Sequence, residues 1–555
     1  MKFNAVNKTA FLIFVVGVLG VQSCKQLELP SSTELAFELA SENTSNLEGI
    51  INGGYGRLIQ VLGAPQANSS YYDLMLYAEA MGARSTFVSP SAGATAFTTQ
   101  LHNFIVQPNT NQLALMSRNL YGIVAMANSV LEFAEKNPPQ DNEFARQKDR
   151  LMGEAYFLRG TVFFLMSRFW SHQPGHNTGA PGGGIMLPLQ RSTDGTVGVG
   201  RATVAEAYAQ ITKDLADAAR LLPVAFDPVL HGNFPAYRFR ATKAAALAML
   251  ARAQFQQATR ASYQQAIESI NRVVGPTPGT ITATAETGTR VFDLQANVTL
   301  PFSTSGFVAA PAGSEEILRL VNNTTAAQGY SAASIQITNE SGGNPGNRGA
   351  ARWLLRRPTP NPPLTTPVTT SPLFDDPVND RRFTELTENI ALAANIGNQR
   401  VSKKWGFQTG TQVGQQNLPL IRAAELLLTR AEINAVLGNT AAALADYNRV
   451  RRRAISGYRD RLLTEIGTGT GTDLIAEIVK ERQREMLLEG DEFWSWKRMG
   501  AYNAANPNTY PAAEVAPLVR SGVTLNWNSN RTLLKWHIDD LTLNPQLGTA
   551  AQNPD

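Results

Sequence analysis

Residues 431–447 read Ala431-Glu432-Ile433-Asn434-Ala435-Val436-Leu437-Gly438-Asn439-Thr440-Ala441-Ala442-Ala443-Leu444-Ala445-Asp446-Tyr447. The small residues and the aromatic fall at tetratricopeptide spacing. Ala431 and Ala443 let two paired helices approach closely, Gly438 makes the turn between them, and Tyr447 fills the gap to the next unit. The copy is partial: Asn434 and Val450 stand where such a repeat usually carries a large aromatic and a small residue. Ala266 and Ile270 occupy similar places in a second, more degenerate copy after 240–257. This pattern predicts stacked helix pairs and an all-α frame.

The rest of the chain extends the pattern. Apolar residues recur at three- and four-residue spacing over 111–136, 143–171, 203–222, 240–257, 262–274, 421–437, 440–454 and 472–498, each read as one amphipathic helix. In the last of these Leu474, Ile475, Ile478, Val479, Met486, Leu487 and Phe493 lie largely on one side. Residues 25–60 start polar and become helical in pattern. Asn137-Pro138-Pro139 stops one helix, Thr203 with Glu206 three residues on fits a capping box, and Pro223 closes the helix they open. Between 275 and 420 Thr, Gly, Pro and Asn dominate. The proline-rich 358–372 stretch excludes helix, 317–321 predicts a short buried strand, and 179–184 and 467–472 read as surface loops. The expectation is a helical frame with one long, loop-rich insertion, and long ordered loops commonly carry function.

Composition narrows the function classes. The chain has 555 residues, 43% hydrophobic and 17% charged, a globular balance. Its single cysteine, Cys24, excludes an internal disulfide and a four-cysteine zinc site. A net charge of +4 is too small for a nucleic-acid binder. Lys2 and Lys8 precede an apolar run at 11–19, and Val21-Gln22-Ser23-Cys24 follows it. The run is far shorter than the ~20 residues that span a bilayer, and the arrangement is that of a secretory signal. With its cysteine in that place it resembles a bacterial lipoprotein signal, in which the cut falls before the cysteine and Cys24 is lipidated. Several acyl chains anchor stably where one does not. Loss of 1–23 removes Lys2 and Lys8, so the charge falls from +4 to +2. No second long apolar run occurs, so the mature protein is expected to be tethered rather than spanning.

Blocks in order along the mature chain resemble the SusD-like (SusD/RagB) nutrient-binding outer-membrane lipoproteins of Bacteroidetes. After Cys24 comes Leu27-Glu28-Leu29-Pro30. Glu154-Ala155-Tyr156-Phe157-Leu158-Arg159, Phe163-Phe164-Leu165 and Arg168-Phe169-Trp170 follow, then Arg201-Ala202-Thr203-Val204 and the helix opened by Arg240-Ala241-Thr242-Lys243. The strongest blocks are C-terminal, around 420–432, 478–490 and Trp496-Lys497-Arg498-Met499-Gly500. Two departures stand out. Ser171-His172-Gln173-Pro174 replaces the usual Gly-Asp-Val-Pro-Leu, and Trp536-His537-Ile538 replaces a Pro-Ile-Pro near the end. The resemblance implies an all-α fold of about four tetratricopeptide-like helix-turn-helix units with a loop-rich ligand-binding lobe and few short strands. It divides the chain into a signal peptide (1–23), one domain (24–548, with helical parts 24–274 and 421–548 around the 275–420 lobe) and a tail (549–555). It also implies a role. Such proteins sit on the outer membrane facing the exterior, bind an oligosaccharide or for some members a peptide, and cap a SusC-like TonB-dependent channel. They use no cofactor and do no bond chemistry.

Residues able to carry bond chemistry are few. Glycoside hydrolysis needs two carboxylates about 5–10 Å apart. Asp375-Asp376, Asp491-Glu492 and Glu315-Glu316 are adjacent pairs better read as solvated or paired with arginine. Glu481, Glu485 and Glu489 form one helical stripe, read as structural salt bridges with Arg482, Arg484 and Arg498. His172 and His176 are four apart, but Pro174 and Gly175 between them exclude a chelating helix, and no metal site is expected. No nucleophile elbow, P-loop or dinucleotide fingerprint occurs. Sugar binding needs an aromatic floor with placed polar groups, so a functional aromatic is sought in loops, off the helical core pattern. Trp353, Tyr330, Trp405 and Phe374 meet that test, while Trp170, Trp494 and Trp496 read as core. Trp405, behind Lys403-Lys404, is set aside as structural. Arg84 and Phe87, in the turn after 71–82, lie in a region that contributes to ligand sites in some relatives. The candidate binding residues are therefore Trp353, Tyr330, Arg84 and Phe87. The alternatives are a tetratricopeptide-type scaffold that binds only proteins and, with no constellation to support it, a glycosidase.

Overall fold

The computed structural model describes residues 41–63, 74–82, 86–88, 96–191, 198–227, 240–302, 314–321, 353–355, 369–391, 398–404, 417–520, 522–548 and 551–554. Helix dominates, with fourteen α-helices and a few short strands among these residues. The helices α1 (Thr44–Gly63), α2 (Leu74–Gly82), α3 (Ala96–Asn103), α4 (Asn111–Lys136), α5 (Phe144–Trp170), α6 (Val204–Leu221), α7 (Lys243–Gln256) and α8 (Arg260–Val274) fill the N-terminal half. The C-terminal half holds α10 (Ala423–Val436), α11 (Thr440–Ala454), α12 (Gly471–Glu485), α13 (Glu492–Ala505) and α14 (Ile538–Thr542). Between the halves lie one short helix, α9 (Arg381–Glu385), and strands β2 (Glu316–Leu320), β3 (Trp353–Leu355), β4 (Thr387–Ala391) and β5 (Asn398–Ser402). Strand β1 (Thr86–Val88) precedes α3, β6 (Leu418–Arg422) leads into α10, and β7 (Leu518–Arg520) and β8 (Val523–Leu525) make a late hairpin.

Helices stack on their neighbours in order. α1 packs on α4, α4 on α5, α5 on α6, α6 on α7, α7 on α8, α8 on α10, and α10 on α11 and α12. Such a line of contacts is the hallmark of a solenoid. The pair α10–α11 forms as its spacing predicts: Ala431, Ala443 and Tyr447 are wholly buried, and Gly438 takes φ 88°, a conformation that favours glycine. Thr203 and Glu206 exchange the two hydrogen bonds of a capping box at the start of α6. Close approach of α5 to α6 depends on Gly160, where a Cβ would sit 3.0 Å from Asp214 and Leu215 side-chain atoms. One residue earlier Arg159 donates to both Asp214 oxygens at 2.8 Å and to Asn128 at 2.8 Å, tying α4, α5 and α6 together.

Two boundaries differ from the periodicity. Residues 472–498 form two helices, because the chain turns between Glu485 and Glu492 with Leu488 at φ 60° and Gly490 at φ 75°. There the Gly490 N–H donates to the buried Glu79 carboxyl at 2.8 Å, and a Cβ on Gly490 would meet the Met75 Cα at 3.0 Å. The apolar spacing runs on across a break that tertiary contacts impose. Likewise 418–422 is strand rather than the start of a helix, because β6 pairs antiparallel with β2, with Glu316 opposite Arg422.

Strand β2 carries a titratable group in a dry place. Glu316 is 5% exposed, its Oε2 faces Arg319 at 3.2 Å, and its Oε1 has no hydrogen-bond partner. Burial, only partly offset by Arg319, pushes its carboxyl up to about 7. The folded state then keeps a proton that the unfolded chain releases, so this group's contribution is fully present below about pH 4.5 and is lost as pH rises through about 7. Glu316→Gln is expected to remove that loss, on the order of 3 kcal/mol. Urea midpoints of the two proteins should diverge at pH 8 and converge at pH 5; equal differences at both pH values would refute the assignment.

Candidate ligand-binding lobe

The segment between α8 and α10 builds its own small sheet. Strand order is β1-β3-β5-β4, all antiparallel, with Thr86 opposite Leu355, Phe87 opposite Leu354 and Val88 opposite Trp353. Strand pairing thus joins the strands that carry two residues named from the sequence, Phe87 and Trp353. Phe87 and Trp353 lie on neighbouring strands, one residue out of register with each other; their side chains lie outside what is described. Arg84, Tyr330, Trp405 and Cys24 lie outside the described residues.

Phe374 departs from its expected place. It is 4% exposed and packs on Phe383 with ring centroids 5.2 Å apart. It belongs to the core shared with the frame, not to a binding surface. Trp170, Trp494 and Trp496 are all buried, as their helical positions predict.

What fixes the sheet to the frame is charge. Asp380 accepts two hydrogen bonds from the Arg382 guanidinium, at 2.7 and 3.0 Å, just before β4 begins. Arg382 also reaches Glu481 at 2.7 Å and Glu485 at 3.1 Å on α12. Glu485 further holds Arg422 at 2.9 Å and Arg453 at 2.6 Å, and Arg422 pairs with Glu315 beside β2. Lys404, just past β5, donates to Glu489 at 2.7 Å. Arg451 and Arg484 close the cluster on Glu481, at 2.9 and 3.0 Å, and on Asp375. All these side chains except Asp375 are buried. Burial alone would raise the Glu485 carboxyl, but Arg453, Arg422, Arg382 and Lys404 hold it well below the usual carboxylate range. The same opposition brings Glu481 down to about 2, through Arg382, Arg451 and Arg484. The Glu481–Glu485–Glu489 stripe is therefore structural. Of the three arginines expected to serve it, only Arg484 does so. Arg482 pairs with Asp491 at 2.7 Å and Arg498 with Glu432 at 2.7 Å. The other partners arrive from the lobe, β6 and α11, at sequence distances that helical spacing does not reach.

The remaining candidates for chemistry resolve in the same way. Glu315 and Asp375 are bound to arginines. Asp491 is bidentate with Arg482, and the same guanidinium, outweighing burial, holds its carboxyl down at about 2. His172 and His176 lie in a turn with rings T-shaped at 4.8 Å, and His176 meets Trp527 at 5.9 Å. Burial, then His176 and Lys497, lower His172 to about 4, so it is neutral at pH 7. Among the described residues no three His, Cys, Asp or Glu side chains gather to hold a metal, and no helix is long and apolar enough to cross a membrane. An open groove of about 550 Å³ runs along α6, lined by Leu189, Arg201, Glu206 and Lys213 but by no aromatic ring.

Comparison with known proteins places this architecture. Residues 42–255 match a SusD-like family described as starch-binding associating with outer membrane, and residues 395–517 match the SusD family that includes RagB. The chain belongs to the SusD/RagB-like family. No curated protein matches it by sequence. Among solved structures, a SusD superfamily protein from Bacteroides thetaiotaomicron VPI-5482 is 18% identical, with 92% of this chain and 100% of that one covered and a TM-score of 0.70. A putative sugar binding protein from Bacteroides vulgatus ATCC 8482 is 20% identical, with coverages of 92% and 98% and a TM-score of 0.67. A laminarin binding SusD-like protein is 19% identical, with coverages of 92% and 99% and a TM-score of 0.62. At these identities the likeness is one of fold.

Proposed function

We propose that this protein is a lipid-anchored glycan-binding subunit of an outer-membrane uptake complex. The observation that carries the reading is the match of its helical half to a family described as starch-binding associating with outer membrane. The sugar- and laminarin-binding proteins that share its fold support a glycan as ligand. In this reading Cys24 bears the anchor and 24–274 with 421–548 form the frame. The 275–420 lobe holds ligand over a SusC-like TonB-dependent channel on the outer face. Its candidate ligand-binding residues are Trp353, Tyr330, Arg84 and Phe87, in keeping with the aromatic and polar groups a sugar site needs. The protein binds and passes on its ligand without cleaving it.

Three measurements test this. Purification from native outer membrane in mild detergent should bring down a TonB-dependent channel, and replacing Cys24 by alanine should release the protein from the membrane. Reproducible absence of the channel would overturn the uptake role. In affinity electrophoresis against laminarin, starch and related β- and α-glucans, retardation by at least one glycan is expected. Trp353→Ala should weaken it about tenfold or more, the size of a lost aromatic anchor. Binding unchanged by Trp353→Ala would remove that residue from the site.

A further inference from the structure

We infer that the cavity between the C-terminal end of α5 and the 486–491 turn is a binding site for a small monovalent anion, a halide or a carboxylate group, with the Arg168 guanidinium as its ligand. Most arginines packed into the frame hold a carboxylate, and Arg201 instead donates to three backbone carbonyls. Arg150, Arg159, Arg252, Arg430, Arg482 and Arg498 each hold a carboxylate within 2.8 Å. Arg168 does not. Its guanidinium lies over the rings of Phe164, at 4.4 Å, and Trp494, at 5.7 Å, and its Nε is buried with no hydrogen-bond partner. No carboxylate among the described residues comes within ion-pair range of it.

The cavity beside it is about 50 Å³, walled by Leu62, Leu165, Arg252, Asp491 and Trp494 among others. That is room on the order of a few waters, enough for a halide or a carboxylate and too little for a sugar ring. Three carboxylates border it, and each is already committed. Glu425 is bidentate with Arg252 at 2.5 and 2.7 Å. Asp491 is bidentate with Arg482, and Glu489 is shared by Lys404 and Arg422. Their negative charge disfavours a divalent anion, and of the two arginines that line the cavity among the described residues, Arg168 is the one with no direct ion pair. Burial and the neighbouring Arg252 lower its guanidinium only to about 10, so it stays charged at pH 7. A guanidinium withdrawn from water, with Asp491 and Glu425 near enough to favour its charge but beyond ion-pair range, is costly, and an anion of the right size relieves that cost.

Thermal unfolding of the full-length protein, followed in sodium sulfate at constant ionic strength while sodium bromide or sodium acetate replaces it, tests the site. A saturable rise of about 2 °C is expected with at least one of the two anions. Bromide acting indicates a free halide; acetate acting alone indicates a carboxylate, such as that of an acidic ligand. Arg168→Met should abolish the saturable part, and Arg168→Lys should shift its midpoint to about tenfold higher concentration. Because R168M removes a buried group and its fold is then at risk, bromide-soaked crystals of the unaltered protein provide the second readout, an anomalous peak beside the Arg168 guanidinium. No saturable rise with either anion and no bromide peak there would overturn the inference, as would an equal rise in R168M.

Discussion

Replacing Glu485 by alanine is expected to cost about 3–5 kcal/mol, the largest loss from any single polar side chain here, because breaking a buried ion pair leaves charge behind without solvent or partner. Three guanidiniums meet this carboxylate, from Arg382, Arg422 and Arg453. After its removal Arg382 keeps Asp380 and Glu481, and Arg422 keeps Glu315 and Glu489. Arg453 keeps only Glu315, at 3.7 Å. Glu485→Gln preserves shape and one acceptor but not charge, so it should recover only a minor part of the loss. The same cluster sets an acid limit. Glu481 and Asp491 titrate at about 2 in the folded chain, and Glu485 lies well below its ordinary value. Their folded values are depressed, so the stability they confer is present above about pH 4.5 and is lost as pH falls through the folded values. For a wholly buried group shifted to about 2 the contribution is on the order of 3 kcal/mol. Urea unfolding at pH 7 and at pH 3 should therefore show a steep loss in the parent and a shallower one in E485Q. If E485Q unfolds at the parent's midpoint at pH 7, charge in this cluster is not what joins lobe to frame.

That cluster also marks where sequence reasoning stops. Local rules performed well wherever the cause is local. The bounds of α4, the capping box at Thr203, the glycine turn at Gly438 and the buried strand at 316–320 all follow from spacing, caps and side-chain shape. They fail where the decisive partner is distant. Nothing within a helical turn of Glu485 announces Arg382, Arg422 or Arg453. Nothing in the apolar run at 472–498 announces that Glu79 and Met75 will meet a turn at Gly490. The rule that a loop aromatic faces a ligand fails at Phe374 for a related reason. Phe374 and Phe383 join the core of the frame, and irregular segments bury side chains without a period by which to recognise them. Pairing of β1 with β3 is equally non-local, and it puts Phe87 and Trp353 on neighbouring strands.

Trp536→Ala is the second large expected effect, at about 3–5 kcal/mol, the usual range for a buried aromatic cut to a methyl group in a core. The residue sits where the chain departs from its family's Pro-Ile-Pro, and the structure gives that departure a purpose. Its side chain is wholly buried, stacked on Trp170 at 5.4 Å and next to Tyr121 at 6.5 Å. Around it the C-terminal segment is sewn to the end of α5: the Trp170 indole donates to the Lys535 carbonyl at 3.1 Å, the Leu534 N–H donates to the Phe169 carbonyl at 2.8 Å, and Asn553 donates to the Trp170 and Leu534 carbonyls. A proline in place of Trp536 would have no N–H to give Gln552, which accepts from that backbone at 2.8 Å. Ring stacking therefore fastens this segment to the frame. Alanine should lower the unfolding midpoint and also speed amide exchange selectively at 534–553, since Trp536 is the largest of the apolar side chains, with Leu534 and Leu541, that hold this segment on the frame. Trp536→Phe, which keeps a stacked ring, should restore most of both. Uniform exchange throughout the chain in W536A would show that the tryptophan supports the whole core and not this seam.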